Sequence, residues 1–212
     1  MTYPRTLQFS SWFSTVVITE PQDLQAIYRL RYRVYCEERG FLTAENYPDN
    51  AECDAYDAHS VHFAAFDQDG KVAAAIRLVC PGQEGGLPYQ QHCPLFDEVA
   101  LPPATAAGEV SRLVLNQGYR TPPGGGGTGT VVMAVYRAMY RYSREHGIRY
   151  WYAAMERPLL RMLARIGVTF ERIGPEVDYC GPVAPYLLDL EALDYRLARC
   201  NPGFLQWLSS TP

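Results

Sequence analysis

Apolar and polar residues alternate over residues 13–19, a period-two pattern that predicts a strand. The period then lengthens. Leu24, Ile27, Tyr28, Leu30, Arg31, Val34 and Tyr35 recur at helical spacing to about residue 39, with Pro21 in the first turn and Gly40 as the stop. Residues 43–60 are polar and read as a loop. Residues 61–67 and 71–80 predict a hairpin around Asp67-Gln68-Asp69-Gly70. The Gly- and Pro-rich stretch 81–107 reads as irregular, with one helical turn near Leu95. A strand follows at 108–115, a loop at 119–127 that ends in four glycines, and a helix at 128–145 closed by Gly147. Residues 149–155 predict a strand and 158–166 a helix stopping at Gly167. Late strands are expected at 168–173 and 185–190, a helix from 190 to about 199, and a short tail to Trp207.

That order predicts an α/β (α+β) fold, a mixed central sheet flanked by helices. A chain of 212 residues is read as one domain over 1–212. Hydrophobic content of 48% suffices for a substantial core. No run of about 18 apolar residues occurs, so no membrane span is expected. The first twenty residues lack a basic start followed by a long apolar core, and no secretory signal is expected. Six cysteines with no Cys-x-x-Cys pair read as reduced thiols, which fits a cytoplasmic location.

Charge is uneven. Residues 1–106 carry 7 basic and 14 acidic groups, residues 107–212 carry 12 and 9, and 137–172 hold eight arginines against three glutamates. That stretch reads either as a solvated face or as a surface for an acidic partner, with Arg137, Arg141 and Arg144 as candidates. The chain as a whole is acidic and carries no nucleic-acid motif, so no nucleic-acid partner is expected.

The chemistry concentrates in Gly108-Glu109-Val110-Ser111-Arg112-Leu113-Val114, a strand with charges among apolar residues. Charged groups rarely sit in such a strand unless they are paired or used. Glu109 is the candidate base, and an apolar setting would raise its pKa. On a regular strand Glu109 and Ser111 share a face and Arg112 points the other way, unless a bulge intervenes. Arg31, Asp54, Asp57 and Arg77 read either as ion pairs bracing the helix and loop to the sheet or as a site for a small zwitterion. The glycines entering the helix read as a linker or, with Gly127, Thr128 and Gly129, as a phosphate cradle. Trp151, Met155, Leu159 and Leu163 fit ordinary core or the lining of an apolar tunnel. His59 and His62 have no metal spacing, and no metal site is expected.

The order of elements resembles the fold of the Gcn5-related N-acetyltransferase (GNAT) superfamily. The motifs look closest to one branch, the acyl-homoserine-lactone synthases and N-acyl amino acid synthases. In that branch a helical Arg is followed by two aromatics, here Arg31, Tyr35 and Phe41. An Asp-x-x-Asp pair comes next, here Asp54 and Asp57, then a strand Arg, here Arg77, and Glu-x-Ser-Arg, here Glu109, Ser111 and Arg112. Tyr28 to Cys36, Ala154 to Leu159, Gly174 to Tyr179 and Ala184 to Tyr186 are similar to acyltransferases associated with PEP-CTERM/exosortase systems.

The resemblance implies transfer of a long-chain acyl group from an acyl carrier protein or acyl-CoA thioester to a small amine, with no bound cofactor. Glu109, Ser111 and Arg112 would be catalytic. Arg31, Tyr35, Phe41, Asp54, Asp57 and Arg77 would bind the acceptor or shape its pocket. The backbone of Leu113, Val114, Leu115 and Asn116 would hold the donor's pantetheine arm. The arginines at 137–144 would meet the acidic carrier protein. With no Ser-His or Cys-His arrangement, direct attack is expected. A lactone synthase using S-adenosylmethionine and a non-catalytic acyl-binding module are the alternatives.

Overall fold

The strand Val72–Val79 reads VAAAIRLV and is buried at every position. Three consecutive alanines and a valine leave room for neighbours on both faces, as a central strand requires. In the computed structural model, which describes residues 13–80, 86–120 and 129–210, this is β3 of eight strands. The others are β1 Ser14–Val17, β2 Ser60–Phe66, β4 Ala107–Leu115, β5 Tyr150–Met155, β6 Glu171–Arg172, β7 Val177–Asp178 and β8 Pro182–Asp189. They form a mixed sheet in the order β1-β2-β3-β4-β5-β8-β6, with β7 paired to β8 off that path. Pairing is antiparallel for β1–β2 and β5–β8 and parallel for β4–β5, where Ala107–Glu109 lie opposite Tyr150–Tyr152. The helices are α1 Pro21–Tyr32, α2 Pro88–His92, α3 Gly129–Glu145, α4 Arg157–Arg165, α5 Leu190–Cys200 and α6 Pro202–Ser209. The expected α/β arrangement, a mixed sheet flanked by helices, is what forms. Among the described residues no helix is long and apolar enough to cross a membrane.

The chain divides into two compact units. The first takes Met1–Cys53, His62–Ile76 and Arg112–Met139. Its core packs Ile27 and Leu30 of α1 with Ala64, Val72, Ala75 and Val114 from the strands. The second takes Asp54–Val61, Arg77–Ser111 and Tyr140–Pro212. Its core joins Val79, Leu87, Tyr89, Cys93, Ala107, Tyr152 and Ile173.

Four local expectations need correction. The helix expected to about residue 39 is α-helical only to Tyr32 and continues as a π-helix over Arg33–Glu38, with the Arg39 N–H donating to Val34 O, five residues back, at 3.0 Å. The helical turn expected near Leu95 lies at α2, where Pro88 opens it and Gln90 Oε1 accepts from the Leu87 N–H at 2.8 Å. Leu95 instead packs against the second core. The strand expected at 168–173 shrinks to two residues. The tail past residue 200 is helix α6: Asn201 Oδ1 accepts from the Phe204 N–H, and Phe204 and Leu208 are buried. Gly127 and Thr128 lie outside the described residues, and Gly129 begins α3.

Candidate active site

In the second unit, Glu109 sits on β4 only 2% exposed. Its Oε2 accepts a hydrogen bond from the Tyr89 backbone N–H at 2.8 Å. In the parallel register its Cα partner is Tyr152, whose ring stacks on that of Tyr89 with centroids 4.5 Å apart. Glycine precedes Glu109 for a steric reason. A Cβ on Gly108 would stand 3.0 Å from Leu78 Cδ1 and 3.0 Å from Val79 O.

Glu109 shapes the titration of its neighbours. Burial, then the Glu109 charge, pushes the Cys93 thiol up to about 11. Burial, then Glu109 and Asp54, raises Tyr56, with Arg77 opposing. Burial first also raises Tyr89 and Tyr152. At neutral pH these groups stay protonated. A thiol so held is a poor nucleophile, which disfavours an acyl-enzyme on Cys93.

Arg77 lies in mid-strand at 1% exposure because its charge is met on two sides. Its Nε–H donates to Ser111 Oγ at 3.0 Å, and Nη1 donates to Asp54 Oδ1 at 2.6 Å and Asp57 Oδ1 at 2.9 Å. The Asp-x-x-Asp spacing is itself a turn. Asp57 Oδ2 accepts from the Asp54 N–H, and Asp54 Oδ1 accepts from the Tyr56 N–H. Each carboxylate is thus fixed by local backbone before it meets Arg77.

In the first unit the organising group is Glu52, fully buried and not among the candidates taken from the sequence. It accepts from Arg31 Nε at 2.5 Å and from Arg112 Nε and Nη2 at 3.1–3.3 Å. Arg112 adopts φ +51°, a left-handed residue inside β4. The strand is therefore kinked there, as a bulge beside an active site would do, and simple alternation does not set where Arg112 points. Its guanidinium lies 5.5 Å from the Tyr35 ring centroid. The Tyr35 hydroxyl donates to Leu113 O at 3.3 Å, and its ring meets Phe41 at 6.4 Å. So Arg31, Tyr35, Phe41 and Arg112 gather around Glu52 and the π-helical turn, a geometry frequent at functional sites.

Of the four residues expected to offer backbone to the donor, Asn116 has its N–H taken by Ala73 O at 2.9 Å and its side chain by Val72 O. Trp151, Met155 and Leu163 are buried, and the Trp151 indole N–H donates to Ser143 Oγ at 2.9 Å. Leu159 is half-buried. Arg137 and Arg141 are half-buried too, whereas Arg144 is exposed, and Arg141 and Arg144 make long ion pairs with Glu145 (3.8 Å) and Asp194 (3.5 Å). The buried His62 meets the Tyr28 ring edge-on. Besides Glu52, sequence reasoning missed Tyr56 and Tyr89. A glutamate two residues before the Asp-x-x-Asp pair was the available signal for Glu52.

Residues 30–125, the span that holds both charge networks, match the family described as an acetyltransferase (GNAT) domain. An acyl-homoserine-lactone synthase of Aeromonas salmonicida is 28% identical over 148 residues, 70% of each chain. Among solved structures, TofI in a ternary complex with an inhibitor and MTA aligns with a TM-score of 0.66 at 23% identity, covering 87% of this chain and 95% of that one. FeeM, an N-acyl amino acid synthase from uncultured soil microbes, aligns with a TM-score of 0.63 at 15% identity, covering 89% and 96%. The chain is an acyltransferase whose residues 30–125 match a GNAT acetyltransferase domain, similar in sequence to acyl-homoserine-lactone synthases and similar in fold to these and to an N-acyl amino acid synthase.

Proposed function

We propose that the protein is one acyltransferase domain that moves a long-chain fatty acyl group from an acyl carrier protein or acyl-CoA thioester to the amine of an amino acid. The observation that carries this reading is the placement of Glu109, a nearly fully buried carboxylate oriented by the Tyr89 N–H. Such a carboxylate can take the proton of an attacking ammonium, directly or through water. The neutral amine then attacks the thioester carbon, and the thiol leaves with a proton. Ser111 and Arg112 act on this step by position, one on Arg77 and the other on Glu52. Backbone N–H groups of Leu113, Val114 and Leu115 would face the pantetheine arm, and the start of α3 its phosphate. Trp151, Met155, Leu159 and Leu163 would border the acyl chain. The six cysteines read as reduced thiols support a cytoplasmic enzyme, and the stretches that resemble PEP-CTERM/exosortase-associated acyltransferases support a likeness to those enzymes.

The test is free-thiol release from a long-chain acyl carrier protein, with and without a pool of amino acids, for wild type and Glu109→Gln. Release that requires an amino acid and collapses in the variant is expected. The second reading is a lactone synthase using S-adenosylmethionine, favoured by the 28% identity to such a synthase. Release only with S-adenosylmethionine would select it, and acyl binding without release would leave only a binding module.

A further inference from the structure

The start of a helix leaves its first backbone donors without partners inside the helix. In the five-residue α2 those donors can be followed one by one. The Leu87 N–H donates to Gln90 Oε1 at 2.8 Å, and the Gln90 N–H donates to Leu87 O at 3.0 Å. Pro88 has no N–H to place. The remaining donor, the Tyr89 N–H, leaves the turn and goes to Glu109 Oε2 on β4 at 2.8 Å.

The direction of that N–H is set from two sides. On the inner side the Tyr89 ring stacks on Tyr152, the Cα partner of Glu109. On the outer side Gln90 is exposed, and its side chain folds back onto Leu87 to close the turn. Gly86 leaves room for that fold. It sits at φ +70°, and a Cβ there would stand 2.5 Å from Gln90 Oε1. A side chain at 86 would push the cap off Leu87 and would also strain the backbone. The contacts thus run from Gly86 through Gln90 and the turn to the carboxylate of Glu109.

We propose that Gln90 is a positioning residue for Glu109: by closing the first turn of α2 against Gly86, it holds the Tyr89 N–H on the carboxylate that takes the proton of the amine. This rests on the acyl-transfer reading and deepens it by naming what aims its base. Gln90 acts through the Tyr89 N–H and takes no part in proton transfer. Its side chain lies at the surface, so its loss spares the second core while Glu109 loses a fixed donor. A carboxylate that loses a hydrogen bond to its charged form takes up its proton at higher pH. Cys93, Tyr56 and Tyr89 feel the Glu109 charge and stay protonated at neutral pH. His92, at the end of α2, stacks on Tyr179. These groups are the same in every variant below, so a change at Glu109 reports its N–H partner.

The experiment titrates the Glu109 carboxyl by carbon NMR of protein with labelled glutamate, its signal identified by its loss in Glu109→Gln. Thiol-release kinetics run beside it. Gln90→Ala is expected to move the Glu109 midpoint to higher pH and the acid limb of kcat/KM with it. Its kcat is expected to fall about tenfold, the scale of a misaligned group, with KM within about twofold of wild type. Gln90→Glu keeps the accepting oxygen and is expected to recover kcat on the alkaline plateau, whereas the shorter side chain of Gln90→Asn is not. Gly86→Ala is expected to reproduce Gln90→Ala, and the double variant to be no worse than either, because both remove one cap. An unmoved Glu109 midpoint in Gln90→Ala, equal losses in Gln90→Ala and Gln90→Glu, or strict additivity with Gly86→Ala overturns the proposal. If no amine elicits thiol release, the acyl-transfer reading fails separately. The NMR titration then decides alone: a midpoint raised in both Gln90→Ala and Gly86→Ala supports the positioning role, and an unmoved one rejects it.

Discussion

The Tyr89 backbone N–H donates to Glu109 Oε2 at 2.8 Å, so the first turn of α2 holds the carboxylate of β4 in one orientation. A glutamine at 109 keeps an oxygen for that N–H but cannot take a proton. Glu109→Gln is therefore expected to lower kcat by about 10²–10⁴-fold, with a melting temperature close to wild type. Glu109→Leu also strands the N–H and loses about 1–3 kcal/mol of stability. Thermal melts run beside the thiol assay separate the two effects. Equal unfolding in both variants would remove Glu109 from the chemistry.

Glu52 carries Arg31 and Arg112 together at full burial. Taking away its charge leaves two guanidinium groups facing each other across a neutral amide. Glu52→Gln is expected to destabilise the fold by about 3–5 kcal/mol, the scale for breaking a buried ion pair. Adding Arg31→Met should recover part of that loss, since the uncompensated charge goes with it. Urea unfolding of the single and double variants measures the coupling, and strict additivity would refute the triad.

Much of the site was legible because charge in an apolar strand demands a reason. Arg77 within VAAAIRLV and Glu109 within AGEVSRLVL stand out on that ground, and both proved buried, Arg77 in ion pairs and Glu109 hydrogen-bonded to a backbone N–H. The Asp54 and Asp57 spacing carried its own turn. Glu52 did not stand out, because one acid among the polar residues of 43–60 looks solvated. Its burial is created by residues 21 and 60 positions away. The left-handed backbone at Arg112 was hidden too, since such a conformation usually announces itself with glycine. Nothing local marks the change from α to π winding at Arg33, where neither Gly nor Pro occurs. Tyr56 and Tyr89 are two of 16 tyrosines, and only tertiary packing sets them apart.

Gly174 is packed more tightly than its loop position suggests. An added Cβ would lie 2.1 Å from Pro94 O and 2.7 Å from Pro185 Cγ, both rigid neighbours. Gly174→Ala is expected to cost about 3 kcal/mol or more. Gly203 in α6 has open space around it. Gly203→Ala is expected to be neutral or to stabilise by up to about 1 kcal/mol, through helix propensity alone. Chemical denaturation of the two variants side by side checks the contrast.

Asp67 is held below the usual carboxylate range, first by the Tyr119 hydroxyl and then by the backbone N–H of Lys71, against desolvation, with the Asp69 N–H adding to the lowering. A folded pKa below the unfolded one adds stability above the ordinary aspartate value and loses it as pH falls through the folded value. Tyr119 has the opposite sign. Burial, then its bond to Asp67, pushes it up to about 12. Its contribution holds below the ordinary tyrosine value and is lost as pH rises toward 12. Urea midpoints are expected to fall more steeply below about pH 4 in wild type than in Asp67→Asn. Parallel acid limbs would show that the hydrogen bond is absent in solution.

Arg141 and Arg144 lie in the last turns of α3 with side chains 26% and 40% exposed, and among the described residues their ion pairs are the long contacts to Glu145 and Asp194. Contacts of that length on the surface contribute little to stability, so both guanidinium groups remain able to meet an incoming acidic surface. A carrier protein presents such a surface, whereas a coenzyme A thioester brings its charge to the donor site alone. Arg141→Glu and Arg144→Glu are therefore expected to raise KM about tenfold for the carrier-linked donor and to leave KM for acyl-CoA nearly unchanged. The difference should shrink as salt rises, because exposed charges are screened within about 10 Å at 0.1 M ionic strength. Steady-state kinetics with both donors at two salt concentrations provides the check. An equal rise for both donors, or a salt-independent one, would move these arginines from carrier docking to the structure of α3 itself.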